Sequence, residues 1–450
     1  MFAVPLKQLQ TETTGHLIGE SVPLNGLAID SRVVRQGDLF AAIRGARVDG
    51  HQFAGAALRS GAAALLTERV LEGLTPQLVV ADVVRAVGSF GRLKRASFQG
   101  DVIAITGSAG KTTTKNLLAA ALSSQAEVLA TKGNQNNELG VPLTLSGLQA
   151  EYRYAVVEMG ARKSDDITQL CNIASPTVAV CLNASAAHLA HFKTPLKTAE
   201  TKGEILLGLK GRGIAVMNAD QSWLPIWQEQ AGKAHKVTFG LSEYADYRAL
   251  DIRHEGLGAT SFQLQGPGVS VRVDLRLAGT HHVMNALAAL AVSFELGLDP
   301  ELVIKRILHV KPESGRGCVI SSRYGGRIVD DCYNANPAAV KAAIDVLSRQ
   351  PGQRVLILGA MLELGDASSK FHHEIGKYAR EAGIECLIVL GEVTQPAAEA
   401  FGSEALYFSD QKLLQENFPA LESNHTIWVK GSRDASLENV VEWLAAEETG

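Results

Sequence analysis

The segment spanning residues 103–115 constrains the fold of this chain most strongly, because it joins a strand, a turn and a helix start. An apolar run at residues 103–106 leads directly into Gly-Ser-Ala-Gly-Lys-Thr at residues 107–112, and a helical pattern follows at residues 117–122. Glycines let backbone N–H groups approach phosphate oxygens, and a helix start favours anions. The segment therefore predicts a phosphate-binding loop at the carboxyl end of a buried strand.

Two side chains of this glycine loop carry phosphate chemistry. Lys111 can reach the outer phosphates of a nucleotide, and the Thr112 hydroxyl can ligate Mg²⁺. The loop is tighter than a standard P-loop, because the usual spacing would put a glycine at Ile105. A strand–turn–helix unit without any phosphate ligand is the alternative. The remaining loop positions expected to bind the nucleotide are Gly107, Ser108, Ala109, Gly110 and Thr113.

Composition narrows the class of protein. The 450 residues are 46% hydrophobic and 20% charged, as in a globular enzyme of two or three domains. A net charge of -4 gives no sign of a nucleic-acid partner. No signal peptide and no apolar run long enough to cross a bilayer is evident. The five cysteines form no Cys-x-x-Cys pair, so we expect reduced thiols and a cytoplasmic protein.

Strand and helix patterns alternate along most of the chain, which predicts an α/β protein with mostly parallel sheets. We divide it into an N-terminal domain, 1–95, a central domain, 96–312, and a C-terminal open α/β domain, 313–450. Residues 246–278 differ, since their alternating pattern predicts antiparallel strands added to the central sheet. The other expected elements are strands at 154–158, 177–182, 213–217, 327–331, 354–359, 385–391 and 426–430, and a helix at 282–296.

Polar residues follow several of these strands, where ligands bind in open α/β sheets. Glu158 ends one strand and is well placed to hold Mg²⁺, although a solvated strand-end acid is the alternative. His188 follows the strand that leads to Asn183, and a lone histidine is more often structural. Lys202 is predicted to lie at the start of a helix, which is electrostatically odd for a cation, but composition alone supports only a surface lysine.

The run Asp-Asp-Cys-Tyr-Asn-Ala-Asn-Pro at residues 330–337 is open to two interpretations. Its acids and asparagines can be ordinary turn and N-cap residues. They can equally bind ribose hydroxyls or a peptide.

Together these segments resemble the Mur ligase family. The resemblance rests on the glycine loop, on Thr-Lys-Gly-Asn-Gln-Asn-Asn-Glu-Leu-Gly at residues 131–140, on residues 330–337, on Leu-Gly-Ala-Met-Leu-Glu-Leu-Gly at 358–365 and on Val-Lys-Gly-Ser-Arg at 429–433. It implies a small UDP-binding N-terminal domain, a central P-loop ATPase domain and a Rossmann-like C-terminal domain. It also implies ATP-dependent amide formation through an acyl phosphate.

Within the family the asparagine-rich segment resembles members that join D-alanyl-D-alanine to UDP-N-acetylmuramoyl-tripeptide in peptidoglycan synthesis. The resemblance implies ATP and two Mg²⁺ ions, with Glu158 and His188 as ligands of the second ion and Lys202 carried as a carbamate. Lys111, Lys202 and His188 are then the catalytic residues, and the metal set is Thr112, Glu158, His188 and Lys202. We expect a cytoplasmic monomer with neither a nucleic-acid partner nor an integral membrane segment.

The resemblance also implies binding residues. Asn285 and Arg316 match nucleotide-contacting positions, and Asp331 matches a ribose-binding acid. The substrate positions are Ser31 and Arg32 for the uridine nucleotide, Asn134 and Asn137 in the asparagine-rich segment, and Asn334 and Asn336 where the dipeptide and nucleotide meet.

The chain departs from the family pattern at three places, which concern the fine geometry of the site. His282 replaces the usual asparagine, Ala360 replaces an aspartate, and Ala-Ser-Ala-Ala stands at residues 184–187. Another Mur ligase or a folylpolyglutamate-type ligase is the nearest alternative function. A P-loop ATPase that uses nucleotide as a conformational switch is the alternative from another class. The sequence leaves the third residue of the tripeptide, diaminopimelate or lysine, undetermined.

Overall fold

Three helix-covered sheets organise the chain in the computed structural model, which describes residues 3–185, 192 and 194–446. The first is a five-stranded sheet near the N-terminus, parallel except for the antiparallel edge strand His16–Ile18. A short pair, Val4–Pro5 and Pro23–Leu24, lies beside it. The neighbours in the sheet are, in order, His16–Ile18, Gln77–Val79, Ala64–Thr67, Asp38–Ala41 and Gly26–Ala28.

Helices cover this N-terminal sheet, and their ends follow local capping rules. Asp82 precedes the longest of them and accepts a hydrogen bond from the Arg85 N–H at 2.9 Å, which satisfies one of the free donors of the first turn. The helix Ala54–Arg59 is followed closely by the strand Ala64–Thr67. The helices are Leu6–Thr13, Gly50–Phe53 (a 3-10 turn), Ala54–Arg59 and Val83–Ala96.

A short helix, Gly140–Ser146, joins the N-terminal region to the central one. Leu139 and Leu143 pack against the N-terminal core, and a Cβ on Gly91 would lie only 3.0 Å from Pro142. Glycine therefore lets the helix Val83–Ala96 approach closely. The C-terminal end of the asparagine-rich segment, residues 131–140, leads directly into the helix Gly140–Ser146.

The central sheet has nine strands among the described residues, and seven neighbouring strands run parallel to one another. The three at one end include the antiparallel pairs predicted for residues 246–278, so that prediction is confirmed. Their order across the sheet is Val269–Leu275, Ala259–Gly266, Tyr247–Glu255, His235–Gly240, Ile214–Asn218, Val178–Cys181, Asp101–Thr106, Tyr152–Glu158 and Glu127–Ala130.

Apolar cores lie on both faces of this sheet, which is why its inner strands read as continuous Val, Ile and Ala runs. The helix Thr280–Glu295 packs against Lys111–Leu122, the helix that follows the glycine loop. The central helices are Lys111–Leu122, Gly140–Ser146, Asp166–Ala174, Pro195–Leu207, Leu224–Gln230, Thr280–Glu295 and Pro300–Ile307.

The C-terminal sheet has six strands, parallel except at one edge. The sequence predicted four of them and missed Cys318–Ser321 and Ala405–Phe408. Both are edge strands of only four residues, and their side chains are partly exposed. The order is Cys318–Ser321, Arg327–Asp331, His425–Lys430, Gln353–Leu358, Cys386–Leu390 and Ala405–Phe408.

Helices of this region alternate with its parallel strands and bury two further apolar clusters. Within the described ranges, the chain has no helix with the length and apolar character needed to cross a membrane. The helices are Pro337–Leu347, Ser368–Glu381, Gln395–Phe401, Gln411–Glu416 and Glu438–Leu444, with 3-10 turns at Gly365–Ala367, Glu392–Thr394 and Arg433–Ala435.

Candidate active site

A cavity of about 1360 Å³ lies where the carboxyl ends of the central and C-terminal sheets face each other. This is the position expected for ligands of open α/β sheets, and most predicted site residues line it. They are Ser108, Ala109, Gly110, Lys111, Thr112, Thr113, Asn134, Asn137, Glu158, Lys202, Asn285, Arg316, Asp331, Asn334 and Asn336.

The glycine loop has the predicted order of strand Asp101–Thr106, turn and helix Lys111–Leu122. Gly110 has a φ of 82° and a Cβ there would collide with Asn285 Oδ1, so only glycine fits. Lys111 Nζ donates to the Gly107 carbonyl at 2.8 Å. Burial lowers the pKa of Lys111, and the Glu158 carboxylate opposes that effect.

The first half of the loop is hydrogen-bonded within the protein. The Ser108 N–H donates to the Asn183 carbonyl at 3.0 Å, and the Ala109 N–H donates to Asn183 Oδ1 at 2.9 Å. Phosphate binding by backbone N–H groups is therefore left to the helix start, where the first turn has no intrahelical acceptors. The backbone N–H groups of Ser108 and Ala109, which were predicted to bind the nucleotide, are therefore already used in hydrogen bonds to Asn183.

Thr112 and Glu158 meet at the end of two adjacent parallel strands. Thr112 Oγ1 donates to Glu158 Oε2 at 3.0 Å, and Asn136 Nδ2 donates to Glu158 Oε1 at 2.8 Å. Carboxylate, hydroxyl and amide oxygens are hard donors of the kind that Mg²⁺ prefers, so these side chains fit the expected metal. In the part of the chain that the structure describes, no group of three or more His, Cys, Asp or Glu side chains converges.

Asn136 is a site residue that the sequence analysis missed. The prediction named Asn134 and Asn137, which both line the cavity, but it is Asn136 that contacts Glu158. Asn137 Oδ1 instead accepts the Gly140 N–H at 2.9 Å, at the start of the next helix. The asparagine-rich segment itself was the signal, but not which of its members points inward.

Lys202 does not lie at a helix start, so that prediction is wrong. Its helix, Pro195–Leu207, begins seven residues earlier, with Thr194 Oγ1 accepting the Lys197 N–H at 3.1 Å and proline in the first turn. Lys202 is therefore in the middle of the helix and only 1% exposed. Burial and then the charge of Lys111 lower its pKa to about 7.

Asp331 sits at the opposite wall of the cavity. It accepts hydrogen bonds from Lys430 Nζ at 2.7 Å and from Trp428 Nε1 at 3.2 Å. Burial raises its pKa, while Lys430 acts in the opposite direction. Lys430 Nζ also donates to the Asn334 carbonyl at 3.1 Å, so this lysine fixes both the acid and the loop beyond it.

The alternatives for residues 330–337 are partly resolved by their hydrogen bonds. Asn336 Oδ1 accepts the Ala339 N–H at 2.9 Å and so caps the helix Pro337–Leu347. Asp330 Oδ2 accepts the Gly315 N–H at 2.7 Å. Both residues have structural roles, and Asn336 also lines the cavity.

Arg316 enters the cavity from the segment that joins the central and C-terminal regions. Its guanidinium lies 4.1 Å from the ring centroid of Tyr333, a stacking geometry that holds the cation in place. Glu313 lies near Arg316 and accepts from Asn116 Nδ2 at 2.7 Å. A carboxylate thus connects Arg316 with the helix that follows the glycine loop.

Among the described predicted residues, Gly107, Ser31 and Arg32 do not line this cavity. His188 is outside the described residues. Ser31 and Arg32 are in the N-terminal region; Arg32 is paired with Asp30 at 2.6 Å. Of the departures from the family pattern, His282 is buried beside the cavity, and the Ala360 carbonyl accepts the Ser432 N–H at 2.9 Å.

Comparison with known proteins gives consistent matches along the chain. Residues 23–87 match the Mur ligase family catalytic domain, residues 105–293 the Mur ligase middle domain and residues 315–433 the Mur ligase glutamate ligase domain. The UDP-N-acetylmuramoyl-tripeptide–D-alanyl-D-alanine ligase of Escherichia coli (strain K12) is 38% identical over 100% of both chains.

Solved structures match over similar lengths. A crystal structure of MurF from Acinetobacter baumannii is 33% identical, with a TM-score of 0.90 and 99% of each chain covered. A MurF ligase from Thermotoga maritima in complex with ADP is 33% identical, with a TM-score of 0.81 over 93% of this chain and 96% of that one.

Proposed function

This chain belongs to the Mur ligase family, and we propose that it joins D-alanyl-D-alanine to UDP-N-acetylmuramoyl-tripeptide with conversion of ATP to ADP and phosphate. The observation that carries the proposal is the 38% sequence identity, over 100% of both chains, to the UDP-N-acetylmuramoyl-tripeptide–D-alanyl-D-alanine ligase of Escherichia coli (strain K12). The glycine loop, Glu158 and Lys202, gathered in one cavity, provide the chemistry.

The reaction begins when the tripeptide carboxylate attacks the γ-phosphate, which gives an acyl phosphate and ADP. The dipeptide amine then attacks the acyl carbon, and the tetrahedral intermediate expels phosphate. Both steps bring anions together, so positioning and charge neutralisation provide most of the catalysis. Lys111 neutralises the transferring phosphoryl group, and the N–H groups at the start of the helix Lys111–Leu122 hold the phosphates.

Thr112, Glu158, His188 and Lys202 are the proposed metal ligands, for two Mg²⁺ ions. When bound, these ions would offset the negative charge that builds up between the phosphates and the substrate carboxylate. The hydrogen bonds that Glu158 receives from Thr112 and Asn136 hold its carboxylate in a fixed orientation.

Lys202 is proposed to react as its neutral amine with CO₂, giving a carbamate and releasing one proton. Burial and the nearby Lys111 both favour the neutral amine, which is the form that reacts. A free ammonium beside Mg²⁺ would be repelled by roughly 4 kcal/mol per pair of unit charges 4 Å apart at an intermediate dielectric constant, and an anionic carbamate reverses the sign of this interaction. The argument from a helix start no longer applies, since Lys202 lies in the middle of its helix.

The remaining assignments are proposals of the same kind. Asn285, Arg316 and Asp331 bind the nucleotide, and Asn134, Asn137, Asn334 and Asn336 bind the substrates around the cavity. Ser31 and Arg32 bind the uridine nucleotide. We further propose domain limits of 1–95, 96–312 and 313–450, a monomeric state, and a cytoplasmic location that the free cysteines support.

A coupled assay of ADP release tests the function. Release should require UDP-N-acetylmuramoyl-tripeptide, and its steady-state rate should depend on added D-alanyl-D-alanine. Turnover of ATP without an amine acceptor would favour the nucleotide switch instead. A panel of other UDP-linked acceptors and of folates separates this function from those of related ligases.

A further inference from the structure

The glycine loop lacks residues that a standard P-loop has, so something else must fix its shape. Its neighbour in the central sheet is the strand Val178–Cys181, which runs parallel to Asp101–Thr106. Asn183 follows that neighbouring strand and faces the loop. Its carbonyl accepts the Ser108 N–H at 3.0 Å, and its side chain bonds to Ala109 twice.

The side-chain bonds are reciprocal. Asn183 Oδ1 accepts the Ala109 N–H at 2.9 Å, and Asn183 Nδ2 donates to the Ala109 carbonyl at 3.1 Å. A primary amide of this length satisfies both backbone groups of Ala109, whereas a carboxylate can accept but cannot donate.

Two more contacts bind the loop to the same neighbouring segment. The Ser185 N–H donates to Ser108 Oγ at 3.1 Å, and a Cβ on Gly107 would lie 3.0 Å from Leu182 Cβ. The first half of the loop is therefore held from outside, against the adjacent strand end.

We propose that Asn183 is a positioning residue that takes the place of the missing loop residues and aims the start of the helix Lys111–Leu122 at the nucleotide phosphates. It acts through Ala109 and Ser108 and does not touch the reacting atoms. The proposal uses the proposed function only in assuming that the loop binds a nucleotide phosphate.

ADP binding to the full-length protein, measured by calorimetry, tests this role. Asn183→Ala removes both side-chain bonds, and we expect ADP affinity to fall by about tenfold or more. Asn183→Asp keeps the shape but cannot donate to Ala109 and adds a negative charge beside the phosphates, so the loss should be larger.

Thr177→Ala is the matched control. Thr177 lies at the opposite end of the same strand, where its hydroxyl accepts the Val102 N–H at 3.1 Å and so clamps the same two strands away from the cavity. We expect this variant to lose a comparable amount in melting temperature while its ADP affinity stays within about twofold of wild type.

Unchanged ADP affinity in either Asn183 variant would overturn the proposal, as would an equal loss in Thr177→Ala. If Asn183→Ala does not fold, Asn183→Asp decides. Because ADP binding needs neither amide substrate, a wild-type chain that binds ADP but forms no amide would contradict the ligase function and leave this test intact.

Discussion

The hydroxyl of Thr112 donates to the carboxylate of Glu158 at 3.0 Å, at the carboxyl ends of the two adjacent parallel strands Asp101–Thr106 and Tyr152–Glu158. One residue follows the lysine of the glycine loop and the other ends the next strand. The proposed phosphate-binding turn and the proposed metal-binding acid are therefore held in fixed positions relative to each other.

Glu158→Gln should raise the Mg²⁺ concentration that gives half-maximal activity by about tenfold or more, because a neutral amide is a poorer ligand for a hard cation. A titration of activity against Mg²⁺ measures this. Glu127→Gln, at the exposed start of the neighbouring strand Glu127–Ala130, is the control. If the Glu158→Gln curve overlays that of wild type, the acid is structural.

Lys202→Ala should reduce turnover by about a hundredfold or more, because the proposed carbamate, an anionic ligand for Mg²⁺, is lost. Formate or acetate should restore part of the activity if a carbamate is the active form. Small amines should restore part of the activity if the active form of Lys202 is instead an ammonium. Rescue by amines alone would contradict the carbamate. The control is Lys236→Ala, which changes an exposed lysine on the strand His235–Gly240. This variant should be active without added carboxylates or amines.

Stability should depend on pH through the same lysine. Its pKa is lowered from 10.5 to about 7 by burial, so the unfolded chain binds more protons between these values. The unmodified lysine therefore destabilises the fold fully below pH 7, and this cost fades as the pH rises toward 10.5.

Lys202→Met should accordingly raise the free energy of unfolding relative to wild type, most near about pH 6 and less near about pH 9. Denaturant unfolding in CO₂-free buffer measures the difference, with Lys236→Met as the control. A difference that does not vary with pH would show that the buried charge is not its cause.

Arg32→Ala should raise the KM for UDP-N-acetylmuramoyl-tripeptide by about tenfold or more and leave the KM for ATP unchanged, because a charged donor to the diphosphate is lost. Its side chain is 87% exposed and lies outside the central cavity. Arg59→Ala, at the end of the helix Ala54–Arg59, is the control. Equal changes in both KM values would argue against a uridine-nucleotide site.

Local sequence signals predicted the parts of the site whose shape is local. The glycine loop is such a part, since strand, turn and helix follow one another within the same residues. The Lys202 error also has a local cause, because Thr194 and Pro195 are a typical helix start and the helix begins there.

Contacts made across the fold could not be predicted in the same way. The sequence does not distinguish among Asn134, Asn136 and Asn137, because all three are the same residue type. The direction of each side chain depends on how the loop packs against the end of the neighbouring strand, where the Gly160 N–H donates to the Asn136 carbonyl at 2.8 Å. The role of Asn183 also depends on strand order, because its partners in the glycine loop are more than seventy positions away.

The short segment between Asn136 and Leu143 has a thermodynamic consequence. One end holds Glu158, and the other packs in the N-terminal core. A ligand that shifted this segment from one side would change the binding affinity on the other side, and such a coupling free energy is reciprocal. If binding of the uridine nucleotide changes the affinity for ATP by some factor through this segment, binding of ATP changes the affinity for the uridine nucleotide by the same factor.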